Sequence, residues 1–505
     1  MDKRRSVLNV CTAIIFKLLV LALSIVVRRE LIFACGNQVN GVNALYLSVI
    51  GFLAVAELGV GSAITFCMYR PIVEGDENAV SALYQLFKKL YTIISVVILV
   101  VGLAITPFVR YFAKDYAELN INFQGTFVLM VISVVLTYAF SAKTSLINAH
   151  KNDYISTAIT SGGLVLQNLL QIAVLRLTKS FSGYLMCRIA AVLVQWVATE
   201  IVTNKKYHYI LSKRCNLEKR MADEVSKSIK AMFMHKIGTL LASTSSNVVI
   251  SAFIGATALG LYTNYTTIVS AVSGVLTLVF TSLTSVVGHF WAKQDIDKTR
   301  EYCEEFYALN FLLGIVFYLG YYAVVDSLVE IFFGKHLLAE GSIPFVITLN
   351  SFVQFMRRSV LLFRDAAGLF YNDRWKPLVE GVANLAISLM LVNRIGVAGV
   401  VIATIITNLL ISHIVEPYVL YKNAFAESPR RYYATNYVMI AVFVVMMFCV
   451  KWLRVQNMNP WVSLIINGLI ATGVSFAVGA TYILTNRKLK NLVRAILSNI
   501  IKRAR

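Results

Sequence analysis

The stretch Asn204–Lys230, with the sequence NKKYHYILSKRCNLEKRMADEVSKSIK, decides how the rest of the chain is organised. It is the longest clearly hydrophilic segment of an apolar chain, and it carries eight basic residues against three acidic ones. Loops rich in Lys and Arg beside apolar spans stay on the cytoplasmic side of a membrane. We therefore predict that residues 204–231 form a basic cytoplasmic linker between two membrane-embedded lobes.

The composition of the chain is that of a membrane protein. Of its 505 residues 58% are hydrophobic and 14% are charged, against about 25% charged in soluble domains. Apolar runs of about 20 residues recur from end to end, which predicts an all-α polytopic membrane protein. Their continuity, without the alternation of barrel strands, excludes a β-barrel. The net charge of +21 does not indicate nucleic acid, because the basic residues lie in short loops and at the two ends.

Span counting predicts about fourteen transmembrane helices. They lie near residues 9–33, 41–69, 89–110, 123–147, 154–176, 181–203, 232–254, 261–289, 306–326, 343–363, 377–394, 396–420, 432–453 and 460–485. With the N-terminus inside, most of the 47 Lys and Arg residues fall in inner segments, so both termini are expected in the cytoplasm. Every outer loop is short, which leaves no room for an external catalytic domain.

These spans predict the following domains. Residues 1–203 form an N-terminal six-helix lobe, and residues 232–425 form a second six-helix lobe after the linker. Residues 426–485 add two spans, and residues 486–505 form a basic amphipathic tail. We expect the tail to lie on the inner leaflet and to contact anionic lipid.

An internal repeat relates the two lobes. Three residues recur at an offset of 219, so that Gly36, Gly41 and Tyr46 correspond to Gly255, Gly260 and Tyr265. Lys17 corresponds to Lys236 at the same offset. Six spans per lobe keep both copies in the same orientation, which predicts parallel lobes related about an axis along the membrane normal.

Basic residues inside spans are candidates for substrate binding, because each costs about 2.5–3.5 kcal/mol at a helix centre. Lys17 lies in the middle of the first span, and Arg28 and Arg29 lie near its outer end. Arg188 lies in the sixth span, and Lys236 begins the seventh. The functional interpretation is an electropositive cavity that holds an anionic headgroup, with arginine suited to phosphate. The alternative is that these side chains snorkel to the interface or pair locally.

Glu57 is the deepest carboxylate within a span. It is a candidate coupling-ion site or a partner for Lys17 or Arg29. A structural hydrogen bond between helices is an equal alternative. No nucleophile, nucleotide-binding or metal-ligand motif accompanies it in the sequence, so we predict no catalytic residue, no metal, no cofactor and no enzymatic activity.

Several motifs resemble the polysaccharide transporters of the O-antigen flippase (Wzx-like) type, in the multidrug/oligosaccharidyl-lipid/polysaccharide (MOP) exporter superfamily. The likeness spans about residues 5–485. It is carried by Gly36–Gly41, Glu57–Ala63 (ELGVGSA) with Tyr69–Pro71, Phe363–Leu369 (FRDAAGL), Asp373–Pro377 leading to Asn384, and Gly396–Val400 (GVAGV).

The resemblance implies two six-helix lobes, a central cavity and alternating access, as in MOP and MATE transporters. It implies export of undecaprenyl-pyrophosphate-linked oligosaccharides for O-antigen, capsule or exopolysaccharide across a bacterial cytoplasmic membrane. Family members use cationic residues for the pyrophosphate, and Lys17, Arg28 and Arg29 occupy that part of the first span. A monomer is expected, with a polysaccharide polymerase as a further partner. Fourteen spans instead of twelve is similar to the lipid II flippases of the superfamily.

Two other functions are open on the sequence. A MATE-type multidrug or cation antiporter would hold cations on carboxylates within spans, where this chain offers mainly Glu57. A membrane glycosyltransferase or polymerase would need a sizeable external loop, which the short outer loops disfavour.

Overall fold

The computed structural model describes residues 3–57, 60–213, 215, 221–223, 225–226, 229, 240, 244–292, 295–369, 372–456 and 458–486. Over these ranges the regular structure is helical and contains no strand. The α-helices are α1 Lys3–Cys35, α2 Asn37–Leu53, α3 Val60–Glu74, α4 Glu77–Ile105, α5 Phe123–Ala149, α6 Asp153–Thr178, α7 Phe181–Leu211, α8 residues 244–253, α9 Ala256–Ala292, α10 Ile296–Phe333, α11 Ile343–Met356, α12 Arg358–Ala366, α13 Lys376–Thr407, α14 His413–Leu420, α15 Arg430–Leu453 and α16 Pro460–Thr485.

Nine helical segments of the described chain are long and apolar enough to cross a membrane. The longest, Lys376–Phe425, covers the eleventh and twelfth predicted spans. It is interrupted at Gly396, where φ is 62° and ψ is −141°. This left-handed region favours glycine, so the predicted break between those two spans is confirmed. The predicted all-α polytopic membrane fold is confirmed as well.

The second predicted span differs from its expectation. The sequence predicts one continuous span over 41–69, but α2 ends at Leu53 and a 3-10 turn follows at Ala54–Glu57 before α3 begins. A Cβ on Gly61 would lie 2.7 Å from the Tyr91 hydroxyl. Glycine therefore permits α3 to approach α4 closely beside this break, a requirement that hydropathy does not report.

The chain forms two compact units, and the first consists of Met1–Leu261 with Pro377–Gly396. Its α3, α4 and α5 share an apolar core that includes Ile64, Met68, Leu83, Phe87 and Leu146. Elsewhere in this unit the start of α9 crosses α2 with backbone contact. A Cβ on Gly41 would lie 1.8 Å from the Ala256 carbonyl oxygen, and one on Gly260 would lie 2.4 Å from that of Asn37.

The sequence repeat has a structural counterpart at these residues. Gly36 and Gly255 both adopt positive φ, 93° and 135°, just before α2 and α9. Tyr46 and Tyr265 are both fully buried. Each hydroxyl is hydrogen-bonded, that of Tyr46 to the carbonyl of Phe123 at 3.0 Å and that of Tyr265 to a carboxylate oxygen of Asp326 at 3.0 Å. The repeated positions therefore have the same local roles, a helix start and a buried polar anchor.

The second unit consists of Tyr262–Lys376 with Val397–Arg505, and its last two helices pack against the rest of it. Phe443 of α15 stacks on Phe352 of α11 with centroids 3.7 Å apart. The Ser475 hydroxyl of α16 donates to the Ile315 carbonyl of α10 at 3.2 Å. The buried residues of α16 recur every fourth position: Ser463, Asn467, Ala471, Ser475 and Gly479. Such a face of small and polar side chains allows close helix packing in membranes.

Two predicted segments fall partly or wholly outside the described residues. The amphipathic tail is described only at Asn486, and the linker has few described residues beyond Lys213. Residues 204–211 of the predicted linker belong to α7, which is kinked at Tyr207. The proposed lobe boundaries remain a prediction.

Candidate functional site

Two of the predicted site residues, Arg28 and Arg188, come together in the first unit. Both guanidinium groups interact electrostatically with Tyr184, and the Asn43 side chain lies near the Tyr184 side chain. The Gln171 side-chain amide donates to the Tyr184 backbone carbonyl at 3.1 Å. These five side chains come from α1, α2, α6 and α7. We call Arg28, Arg188, Tyr184, Asn43 and Gln171 the arginine cluster.

Helix packing explains why two arginines 160 residues apart in sequence meet. The Cys35 thiol at the end of α1 donates to the carbonyl of Lys179, in the turn between α6 and α7, at 3.4 Å. Arg28 lies seven residues before the end of α1, and Arg188 lies seven residues after the start of α7. At 1.5 Å per residue, each arginine lies about 10 Å along its helix from this contact between Cys35 and Lys179.

The arginine cluster has unused hydrogen-bonding capacity. The Arg28 Nη1 and the Asn43 Oδ1 are buried and have no hydrogen-bond partner. Within the described ranges, neither Arg28 nor Arg188 forms an ion pair with a carboxylate. Both residues are half-buried. Unpaired guanidinium groups next to amide and hydroxyl groups can bind an anion with several oxygens, such as a phosphate, through bidentate hydrogen bonds.

The other predicted basic residues do not join this cluster in the described structure. Arg29 is exposed, and its guanidinium carbon lies 5.4 Å from the centroid of the Phe33 ring on the same helix. Lys17 lies in α1, but its side chain is outside the described part of the structure, and Lys236 is outside it altogether. These three residues remain predictions.

Glu57 lies in the 3-10 turn after α2 and is bonded to two tyrosines. The hydroxyls of Tyr91 and Tyr138 donate to Oε1 and Oε2 of Glu57, each at 2.9 Å. The carboxylate therefore links the turn to α4 and α5, as the structural interpretation expects. Because each oxygen already accepts a hydrogen bond, a bound cation would have to share or replace these tyrosine contacts.

A polar cavity of about 460 Å³ lies within the second unit, in a region that the sequence analysis did not nominate. Its walls come from α9, α10, α11, α12 and the residue between α11 and α12. The polar side chains lining it are Tyr262, Thr266, Ser270, Ser273, Tyr318, Asn350, Ser351, Gln354, Arg357 and Arg358. The lining contains no carboxylate.

A buried charge network adjoins this cavity. Arg357 makes a bidentate ion pair with Glu416, in which Nε donates to Oε2 at 2.9 Å. Lys376 Nζ also donates to Glu416, at 2.7 Å. Glu416 is 1% exposed and Lys376 is 7% exposed. Removing one partner of such a buried network leaves an uncompensated charge, so we assign the network a structural role.

Sequence patterns do not nominate the two cavity arginines, which lie six and five residues before the end of the predicted tenth span, residues 343–363. Basic side chains this close to the end of a span can snorkel to the interface and need no further role. The available signal was their position: Arg357 and Arg358 stand inside the apolar run and not after it. The structure places them at the break between α11 and α12.

Comparison with solved structures identifies the fold. The chain is similar to a lipid II flippase, MurJ, in an inward closed conformation, with a TM-score of 0.67 and 12% identity over 95% of this chain and 99% of that one. It is similar to an inward-facing multidrug resistance MATE family transporter of the MOP superfamily, with a TM-score of 0.62 and 13% identity over 84% and 94% of the two chains. A Vibrio cholerae MATE transporter, VcmN, gives a TM-score of 0.55 and 12% identity over 85% and 99%.

These likenesses confirm the predicted MOP-type fold. No family model and no curated protein matches the chain by sequence. At 12–13% identity the structural likeness concerns the fold alone.

Proposed function

We propose that the protein is a flippase, which moves an undecaprenyl-pyrophosphate-linked oligosaccharide from the cytoplasmic to the outer leaflet of a bacterial membrane by alternating access. The observation that carries this proposal is the arginine cluster. Arg28 and Arg188 have no carboxylate partner among the described residues, and Arg28 Nη1 is buried without a hydrogen bond. In an apolar setting that arrangement is costly, and a pyrophosphate would offset the cost.

The fold supports the proposal. One structure that shares the fold is a flippase for lipid II, so the architecture accommodates movement of a lipid-linked substrate. The Wzx-like motifs of the sequence point to oligosaccharide repeat units as cargo.

The chemistry of the cargo also supplies a driving force. A pyrophosphate is anionic, and an anion that leaves a negative cell interior gains about 2.3 kcal/mol per charge per 100 mV. Movement outward is therefore favoured by the membrane potential alone. A coupling cation at Glu57 would add to it.

The membrane placement follows from the same proposal. We infer a monomer in the bacterial cytoplasmic membrane with both termini in the cytoplasm, and a basic tail, residues 486–505, that contacts anionic lipid. A polysaccharide polymerase would receive the exported unit on the outer side. The cytoplasmic termini and the lipid contact of the tail rest on the charge distribution in the sequence.

A MATE-type cation or drug antiporter is the second candidate. Two observations favour it, the MATE transporters among the similar structures and the carboxylate of Glu57 within the first unit. The tyrosine bonds to both Glu57 oxygens, and the two unpaired arginines, favour the anionic cargo.

The experiment that separates the two functions uses purified protein in vesicles. A fluorescent pyrophosphate-linked oligosaccharide is placed in both leaflets, and a membrane-impermeant quencher reports how much label reaches the outside. Parallel vesicles hold a cationic dye, with an imposed proton or sodium gradient. We expect the lipid-linked probe to become fully quenchable and the dye to stay inside. Dye efflux without movement of the lipid-linked probe would transfer the assignment to the antiporter.

A further inference from the structure

An exposed surface of the second unit lies where α15 packs against α14 and the turn that precedes it. The Tyr433 hydroxyl of α15 donates to the Ile414 carbonyl of α14 at 2.7 Å. The Tyr437 hydroxyl donates to the Leu409 carbonyl at 2.8 Å. Tyr433 also interacts electrostatically with Tyr418 of α14. The three tyrosines therefore lie side by side across this contact, and the two helices run in opposite directions.

Two basic side chains stand at one end of this surface. Lys422 follows Tyr418 by four residues, and its Nζ donates to the Tyr418 hydroxyl at 2.8 Å. Arg430 precedes Tyr433 by three residues on α15, so these two residues share a face of that helix. Because the helices are antiparallel, a step forward from Tyr418 and a step back from Tyr433 lead toward the same end.

The positive charge at this end is not compensated by the protein. Lys422 and Arg430 are exposed, and neither forms an ion pair with a carboxylate of the described chain. The only acidic residue between them in sequence, Glu427, is ion-paired with Arg300. An anion that reaches this end therefore meets two free cations.

The surface becomes apolar away from the two cations. Its exposed side chains on the far side of the tyrosines recur at intervals of three or four residues along the two helical segments: Leu410 and Ile414 on one, and Ala441, Val445 and Phe448 on the other. The order along the surface is thus cationic, then aromatic with hydroxyl groups, then apolar. A phospholipid has its parts in the matching order, with the phosphate first, the ester groups next and the acyl chains last.

We propose that this surface binds an anionic phospholipid of the inner leaflet, with the lipid phosphate on Lys422 and Arg430 and the acyl chains along the apolar side chains. The inference does not depend on the transported cargo, and it concerns a site separate from residues 486–505. Two uncompensated cations select against a zwitterionic headgroup, because such a headgroup brings a cation of its own.

The leaflet and the preformed surface both fit this assignment. In the proposed orientation, the segment between α14 and α15 lies in the cytoplasm, and the cytoplasmic leaflet is the one that carries the negative surface potential of anionic lipids. The hydroxyls of Tyr433 and Tyr437 are held by backbone carbonyls, and Lys422 is held by Tyr418. Side chains that are ordered before binding lower its entropic cost.

Native mass spectrometry of the full-length protein in a neutral detergent tests the proposal. It compares the affinities for dioleoylphosphatidylglycerol, which is anionic, and dioleoylphosphatidylcholine, which is zwitterionic. We expect the wild type to prefer the anionic lipid. A basic residue near anionic lipid contributes about 5-fold in affinity, so Lys422→Gln with Arg430→Gln should weaken binding of phosphatidylglycerol about 25-fold. Binding of phosphatidylcholine should be unchanged.

A matched control removes the same charge elsewhere. Lys88 and Lys89 are exposed lysines of α4 in the first unit, and Lys88→Gln with Lys89→Gln should bind phosphatidylglycerol as the wild type does. An equal loss in this control would overturn the inference, since surface charge in general would then account for the binding. Equal affinities of the wild type for the two phospholipids would overturn it as well.

Two further arms separate a built site from a patch of charge. Tyr418→Phe keeps both cations but removes the hydroxyl that orients Lys422, so it should weaken binding of phosphatidylglycerol about 3-fold. Wild-type affinity in Tyr418→Phe would refute the built site. Displacement of phosphatidylglycerol by equimolar farnesyl pyrophosphate would assign the surface to lipid-linked cargo instead. Size-exclusion profiles verify that each variant is folded, and none of these results bears on whether the protein translocates a lipid-linked oligosaccharide.

Discussion

Replacing Gly41 with alanine tests whether the α2–α9 crossing holds the first unit together. The added Cβ would stand 1.8 Å from the Ala256 carbonyl oxygen and 2.9 Å from the Gly260 nitrogen, where ordinary contact begins at 3.4 Å. Both obstacles are backbone atoms and cannot rotate away. The two helices must therefore separate by about 1.6 Å, the difference between 3.4 and 1.8 Å.

The expected loss of folding free energy in Gly41→Ala has two parts, overpacking and two lost hydrogen bonds. Overpacking costs about 1–3 kcal/mol. Asn37 Nδ2 donates to the Thr257 carbonyl at 3.1 Å, and Asn40 Nδ2 donates to the Gly260 carbonyl at 3.4 Å. Separation breaks both, and each such bond is worth about 0.6 kcal/mol in a membrane protein. We expect a total destabilisation of roughly 2–4 kcal/mol.

Thermal unfolding of purified protein in detergent, followed by tryptophan fluorescence, measures this effect. For a chain of this length, Gly41→Ala should lower Tm by about 2–4 °C, and Gly260→Ala should do the same. Gly162→Ala is the matched control, because its Cβ meets nothing within 4 Å and alanine is the better helix former. A Gly41→Ala protein as stable as this control would refute the packing argument.

Two further variants test the second unit. Tyr265→Phe removes the hydroxyl that donates to Asp326 at 3.0 Å and accepts from the Ala339 amide at 2.9 Å; it should cost about 1–3 kcal/mol and lower Tm, and an unchanged Tm would contradict the anchor role. Glu416→Gln leaves the half-buried Arg357 and the buried Lys376 without their carboxylate, so it should cost about 3–5 kcal/mol and reduce the yield of monodisperse protein on size exclusion. Normal yield of Glu416→Gln would show that the network does not stabilise the unit.

Sequence patterns predict those features of the fold that depend on composition or on glycine. Apolar runs predict the membrane-embedded helices, and Gly396 predicts the break inside Lys376–Phe425, because a positive φ is a property of a single residue. The recurrence of Gly41 as Gly260 predicts related helices. It does not predict that these two glycines face each other, since contact between distant segments is not encoded in their spacing.

The candidate site is also predicted from the sequence only in part. Arg28 and Arg188 are predictable singly, because a charge inside an apolar span needs a reason. Their meeting at Tyr184 depends on how α1, α6 and α7 pack. Arg358 is not predicted, because it lies five residues before the end of the predicted tenth span, where a basic side chain can snorkel to the interface. Only the structure shows that its neighbour Arg357 is ion-paired with Glu416, whereas Arg358 has no carboxylate partner among the described residues.

Translocation by a double variant tests the central claim most directly. The protein with Arg28→Gln and Arg188→Gln is compared with the wild type and with Arg110→Gln, an exposed arginine near the end of α4, in vesicles that contain the fluorescent pyrophosphate-linked oligosaccharide. We predict that the double variant loses translocation while it remains folded, and that Arg110→Gln moves the probe as the wild type does. Wild-type translocation by the folded double variant would contradict the assignment of the arginine cluster as the pyrophosphate site.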